Sequence, residues 1–169
     1  MAEEKNTFLE TIKESTIQDF IIEVRGHAGE MTIEIDPKQL RNVVQVLKEK
    51  FGFNYLVDIT ASDHYTDEKR FELSYNMVSM ANNQRLRISA FVEEDEPSID
   101  SITDFWKSAA WMERECFDMM GVTFNEHEDL RRIYLPEDFE WYPLRKEFPL
   151  LGIPGSLSLP EKDPPKEYK

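Results

Sequence analysis

Seven of the nine prolines stand at or after Pro136, crowded toward the C-terminus of a 169-residue chain. Each fixes φ and removes a backbone donor. Pro143, Pro149, Pro154, Pro160, Pro164 and Pro165 therefore exclude regular helix interiors and central strands from this stretch. Yet the same stretch carries Tyr134, Leu135, Phe139, Trp141, Tyr142, Leu144, Phe148, Leu150 and Leu151. So many large apolar groups do not make a solvated linker. They predict an extended arm that lies against its own domain or against another chain. The change of character falls near Gly121 to Phe124. It divides the chain into a globular domain over 1–121 and an arm over 122–169, whose last stretch, "EKDPPKEYK", is polar enough to be loose in isolation.

Upstream, periodicity governs. "TFLETIKES" reads as a short amphipathic helix, with Thr7 and Glu10 at capping-box spacing. "IQDFIIEVRGHAGEMTIEID" reads as two strands joined by a loop holding Gly26 and Gly29. "DPKQLRNVVQVLKEKFG" has the punctuation of a helix: Asp36 as cap, Pro37 at its first position, Gly52 at its end. Leu40, Val43, Val44 and Leu47 form its apolar stripe. "FNYLVDIT", "RFELSYNMVSM" and "RLRISAFVEE" are three more strands, the last two joined by the turn sequence "ANNQ". Phe71, Leu73, Tyr75 and Met77 alternate with polar residues and point to the core. "SITDFWKSAA" starts another short helix, with Ser101 and Asp104 at capping-box spacing, and Trp111 to Met120 forms one more, stopped by Gly121. The fold class is α+β, with about five strands followed by the proline-rich arm.

The formal net charge is −14. Such a surface repels phosphate backbones and anionic headgroups, so nucleic acid and direct membrane docking are disfavoured, and a partner with basic patches suits it. One cysteine, Cys116, excludes an internal disulfide and an iron–sulfur cluster held by this chain alone. No apolar run approaches the about 18 residues of a membrane span. The acidic start, "MAEEKNTFLE", reads as neither a secretory signal nor a transit peptide. Phosphate cradles, serine-hydrolase elbows and zinc motifs are absent. "NEHEDL" sets His127 among three carboxylates, but consecutive residues converge poorly on one ion, so a solvated loop is expected. Asp63 and His64 in "ASDHY" point apart on an extended chain and read as a polar strand end.

The densest chemistry is "ERECFDMMG", Glu113 to Gly121. On a helical wheel Met112, Cys116, Met119 and Met120 share an apolar arc, which makes Cys116 a buried small hydrophobe rather than a nucleophile. Arg114, Glu115, Asp118 and Trp111 lie on the other side. A Trp and an Arg among charges are typical of a contact face, and Arg114 and Asp118 have i,i+4 spacing. Glu113 alone breaks the apolar arc. A buried carboxylate needs a cationic partner or a proton, and Arg131, Arg132 or Arg145 is expected to return and pair with it. The rival reading makes Glu113 a perturbed acid working with His127.

These residues carry a resemblance. The core E-R-E-x-x-D-x-x-G-x-x-F, the following His127, L-R-R-I with Arg131 and Arg132, and P-L-R-K-E-F-P with Pro143, Arg145 and Lys146 resemble the signature of the 30 kDa subunit family of respiratory NADH:quinone oxidoreductase, complex I. "DITASDH", "RFELSYNMVSM" and "RLRISAFVEEDEPSIDSITDFWKSAAW" also look like that family, so the likeness runs from about Asp58 to Leu150. The chain departs from the usual pattern at Glu128 (usually Pro), Met120 (usually aromatic) and Tyr142 (often His). The resemblance implies a mixed sheet packed with helices, and an arm running over neighbouring subunits. It implies a structural subunit of the peripheral arm with no catalytic, cofactor or metal residue of its own. The signature residues Trp111, Glu113, Arg114, Glu115, Asp118, Gly121, His127, Arg131, Arg132, Pro143, Arg145 and Lys146 would then serve structure and interface. Iron–sulfur clusters, FMN and quinone would belong to partner subunits. The chain would sit on the cytoplasmic face of the inner membrane through those partners alone. The homologous subunit of a membrane-bound hydrogenase shares the signature, and an independent acid–base enzyme using Glu113 and His127 is the remaining alternative.

Overall fold

The computed structural model describes residues 16–27, 30–65 and 69–153. The helix expected over "TFLETIKES" lies outside them. Five strands form one mixed sheet in the order β1-β2-β5-β4-β3. They are β1 (Ile21–His27), β2 (Glu30–Ile35), β3 (Tyr55–Asp63), β4 (Phe71–Ser79) and β5 (Gln84–Val92). All neighbouring pairs are antiparallel except β2 and β5, which run parallel. Gly26, expected in a loop, is taken into β1 opposite Met31.

Between β2 and β3 the chain crosses through α1 (Leu40–Phe51). The Asp36 carboxylate accepts the Lys38 N–H at 3.0 Å, and Pro37 opens a single 3-10 turn that leads into the helix. Leu40, Val43, Val44 and Leu47 have no exposed surface, so the apolar stripe packs on the sheet as its spacing requires. Gly52 takes the left-handed conformation, φ +72°, that ends the helix. On β4, Phe71, Leu73, Tyr75 and Met77 are buried in strict alternation, which places this strand at the centre of the core.

A smaller unit follows. β6 (Ser98–Asp100) and β7 (Thr123–Asn125) pair in parallel, and α2 (Ala109–Met120) connects them and packs against β3. The helix expected to start in "SITDFWKSAA" is a pair of turns, and α2 begins only at Ala109. The capping box does not form, because its members bond elsewhere: Ser101 Oγ to Glu113 and Asp104 to Arg41 at 2.7 Å. Residues 126–153 contain no helix or strand and run as turns over the surface of α2 and the end of the sheet.

Candidate functional site

The first mooring of the arm is Asp118. Its side chain has no exposed surface, although the wheel places it opposite the sheet-facing arc. The arm covers that side. Asp118 Oδ1 accepts from Arg132 Nη1 at 2.7 Å, and Oδ2 accepts the backbone N–H groups of Ile133, Tyr134 and Leu135 at 2.9, 2.7 and 3.1 Å. Burial works to raise this carboxyl, but Arg132 and the three amides outweigh it and hold it below the usual carboxylate range. Arg132 also donates to the Phe139 carbonyl at 2.6 Å and lies over the rings of Phe139 and Tyr142. Arg114 does not pair with Asp118. It donates to the carbonyls of Arg131 and Arg132 at 2.9 and 3.0 Å, so L-R-R-I is gripped at two points, one turn apart, on one face of α2.

A second mooring takes the far half of the arm. Gly121 adopts φ +73° at the end of α2, and a Cβ there would stand 2.6 Å from the Tyr142 ring. Only glycine gives both that conformation and that close seat. Leu144 N–H donates to the Met119 carbonyl at 3.1 Å, and Arg145 Nε to the Met120 carbonyl at 2.7 Å. The Arg145 guanidinium is layered on Phe71 and Tyr142, 4.9 and 4.6 Å from their ring centroids. Pro143 is half-buried behind it, while the Lys146 side chain is exposed. The Lys146 backbone N–H reaches Asp63 Oδ2 at 2.8 Å.

Asp63, expected from the sequence to be a polar strand end, is a second buried carboxylate that holds the arm. Arg70 holds it with two hydrogen bonds of 3.0 Å, and both side chains are buried. Arg70 also pairs with Glu94 and, from the arm, Glu147. Burial raises the Asp63 carboxyl, but Arg70 and the amides of Lys146 and Tyr65 hold it far below the ordinary range. The only signal was register: Asp63 stands opposite Phe71 across β3 and β4, which brings Arg70 alongside. His64 turns away to Glu72 at 2.8 Å, so the adjacent Asp and His do point apart.

Glu113 is fully buried, as the wheel required, but no arginine pairs with it. Arg131 goes to the exposed Asp129, Arg132 to Asp118, and Arg145 to the Met120 carbonyl. Glu113 instead accepts the Ile102 N–H at 2.8 Å and the Ser101 hydroxyl at 2.7 Å. Burial raises its carboxyl above the usual range, and those two bonds offset only part of that. His127, expected in a solvated loop, has a side chain only 2% exposed and lies 3.9 Å from Glu113. Its Nε2 faces the Ala110 carbonyl at 3.1 Å, and its Nδ1 accepts the Asp129 N–H at 3.0 Å. The two residues of the acid–base alternative do meet, but Glu113 lacks the open access that reading needs. Cys116 is buried, and burial pushes its thiol up to about 12, which leaves it inert.

What remains outside is Trp111, 63% exposed with Arg114 over its ring, and the neighbouring Glu115. Along the arm Tyr134 and Leu144 are more than half exposed, and Leu150 and Leu151 are fully exposed. Among the described residues, no group of three or more His, Cys, Asp or Glu is placed to hold a metal ion. No helix among them is long and apolar enough to cross a membrane.

The family described as the respiratory-chain NADH dehydrogenase 30 kDa subunit matches residues 33–153. That span includes Asp63, Glu113, Asp118 and the whole described arm. The chain belongs to this family. The match begins in β2, upstream of the Asp58 where the motif likeness starts. The C subunit of NADH-quinone oxidoreductase from Geotalea uraniireducens is 40% identical over 146 residues, covering 86% of this chain and 85% of that one. A solved structure of the trypsin-resistant fragment (1-134) of Nqo5 is 28% identical, with TM-score 0.63, over 72% of this chain and 98% of that one. A chain of the archaeal membrane-bound sulfane sulfur reductase shares the fold at TM-score 0.76 and 21% identity, over 88% of this chain and 87% of that one. The 30 kDa family membership and the five-stranded mixed sheet agree with the sequence reading.

Proposed function

We propose that this chain is a structural subunit of the peripheral arm of a proton-translocating NADH:quinone oxidoreductase. It supports electron transfer from NADH to quinone without carrying a redox centre. The observation that carries this is the family match over residues 33–153, the part of the chain in which two buried carboxylates moor the arm to the body. Those moorings fix one path for a segment without secondary structure. Its unburied apolar groups Leu144, Leu150 and Leu151, together with Trp111 of α2, are thereby displayed for subunits that carry the clusters and the quinone site. The globular body over 1–121 serves as the platform, and the arm over 122–169 is the docking element. Membrane attachment, on the cytoplasmic face, comes through those partners. Purification of the tagged full-length chain from native membranes tests the reading. The expected companions are the other subunits of an NADH:quinone oxidoreductase. Recovery with a nickel-binding hydrogenase large subunit instead assigns the chain to that complex and overturns the proposal.

A further inference from the structure

Glu113 has no exposed surface, and among the described residues no lysine or arginine is bonded to it. The charges of His127 and Arg41 work to lower its carboxyl, but burial outweighs them. The Arg41 guanidinium of α1 donates instead to the Ser101 carbonyl at 2.6 Å and to Asp104 at 2.7 Å, and lies 4.0 Å from Glu126. His127 faces the Ala110 carbonyl with Nε2 and accepts the Asp129 N–H at Nδ1, and its ring stays 3.9 Å from Glu113, outside hydrogen-bond reach. Tyr75 of β4 contributes a buried hydroxyl that finds no partner among the described residues, and Cys116 of α2 and Asp100 of β6 add no positive charge.

A line of hydroxyls runs from this carboxyl to the surface. Glu113 Oε2 lies 2.7 Å from Ser101 Oγ, which lies 2.9 Å from Thr103 Oγ1. Thr103 lines a surface pocket with Lys107, Trp111, Arg114 and His127. The line is satisfied in either direction. With Glu113 ionised, Thr103 donates to Ser101 and Ser101 donates to Glu113. With Glu113 neutral, its own O–H donates to Ser101, and Ser101 donates to Thr103. Reversal moves one proton: hydronium in the pocket gives one to Thr103 Oγ1 and is left as water, the Thr103 hydrogen passes to Ser101, and the Ser101 hydrogen passes to Glu113. Each O–H bond broken is replaced by one formed.

We propose that Glu113 is a proton-exchange site, which trades its proton with solvent through Ser101 and Thr103. Nothing in the scaffold role of the chain requires such a site, and the proposal does not rest on that role.

The test uses the full chain labelled with carboxyl carbon-13 glutamate, assigned through backbone connectivities. The Glu113 carboxyl is expected to titrate above the ordinary glutamate range. A midpoint within or below that range overturns the proposal. The relay is read separately in the wild type and in Thr103→Val, from the rate at which the infrared band of the protonated Glu113 acid shifts on transfer to D2O. Thr103→Val is expected to keep the midpoint and lose the fast exchange. Equal rates in the two proteins contradict the relay.

Discussion

Glu113 and Asp118 share one helix, and neither exposes its carboxyl group, yet their surroundings drive the two acids in opposite directions. Asp118 meets a guanidinium and three amides. Replacing it with alanine leaves Arg132 buried without its counter-charge, and chemical denaturation is expected to show a loss of about 3–5 kcal/mol. The folded-state pKa of Asp118, like that of Asp63, is depressed. Both contribute stability that is fully present above the unfolded carboxylate range and is lost as pH falls through it, so acidification should loosen the arm. Glu113 has the reverse sign. Its folded state binds the proton more tightly, so its contribution is greatest at low pH and declines as pH rises from the unfolded value through the raised one. Glu113→Gln, which keeps the neutral shape, is expected to flatten that decline in a melting-temperature profile against pH. An unchanged profile would remove Glu113 from the account. The burial of Glu113 was legible because a wheel reveals which residues face the sheet. That of Asp118 and His127 was not, because the covering arm comes from distant sequence, and a wheel sees only its own helix.

At the scale of elements, the two glycines that end α1 and α2 form a natural comparison. Gly52 and Gly121 have nearly the same left-handed φ, 72° and 73°, but only Gly121 has an aromatic ring pressed on it. Alanine at either position should cost about 1–2 kcal/mol for the backbone alone. Gly121→Ala should also lift Tyr142 and Arg145 and expose residues 142–150 to limited proteolysis. Gly52→Ala should leave that protection intact, and equal cleavage of both variants would show that the arm does not depend on the Gly121 seat. Helix ends of this kind, the α1 stripe and the alternation of β4 were readable because each is set by residues close in sequence. The turns over 103–108 were not. Ser101 and Asp104 have the spacing of a capping box, but Glu113 and Arg41 claim their side chains across the fold. Local spacing cannot anticipate a competitor that arrives from another element.

Over the whole molecule, the proline-rich arm announced that it would lie against something, and the structure divides the answer. Phe139, Tyr142 and Arg145 lie against the chain's own body, while Leu144, Leu150 and Leu151 face outward. The sequence named the arm but left its address open, since Asp63 and Asp118 become its anchors only once β3 and α2 are side by side. Leu150 and Leu151 are fully exposed beyond the second mooring, and under the proposed function they are the surface offered to partner subunits. The most direct measurement is recovery of partner subunits from native membranes by the tagged wild type and by a Leu150→Asp, Leu151→Asp variant whose melting temperature is recorded alongside. The account predicts an unchanged melting temperature and loss of the oxidoreductase subunits in the variant. Full recovery of those subunits by the variant would contradict it.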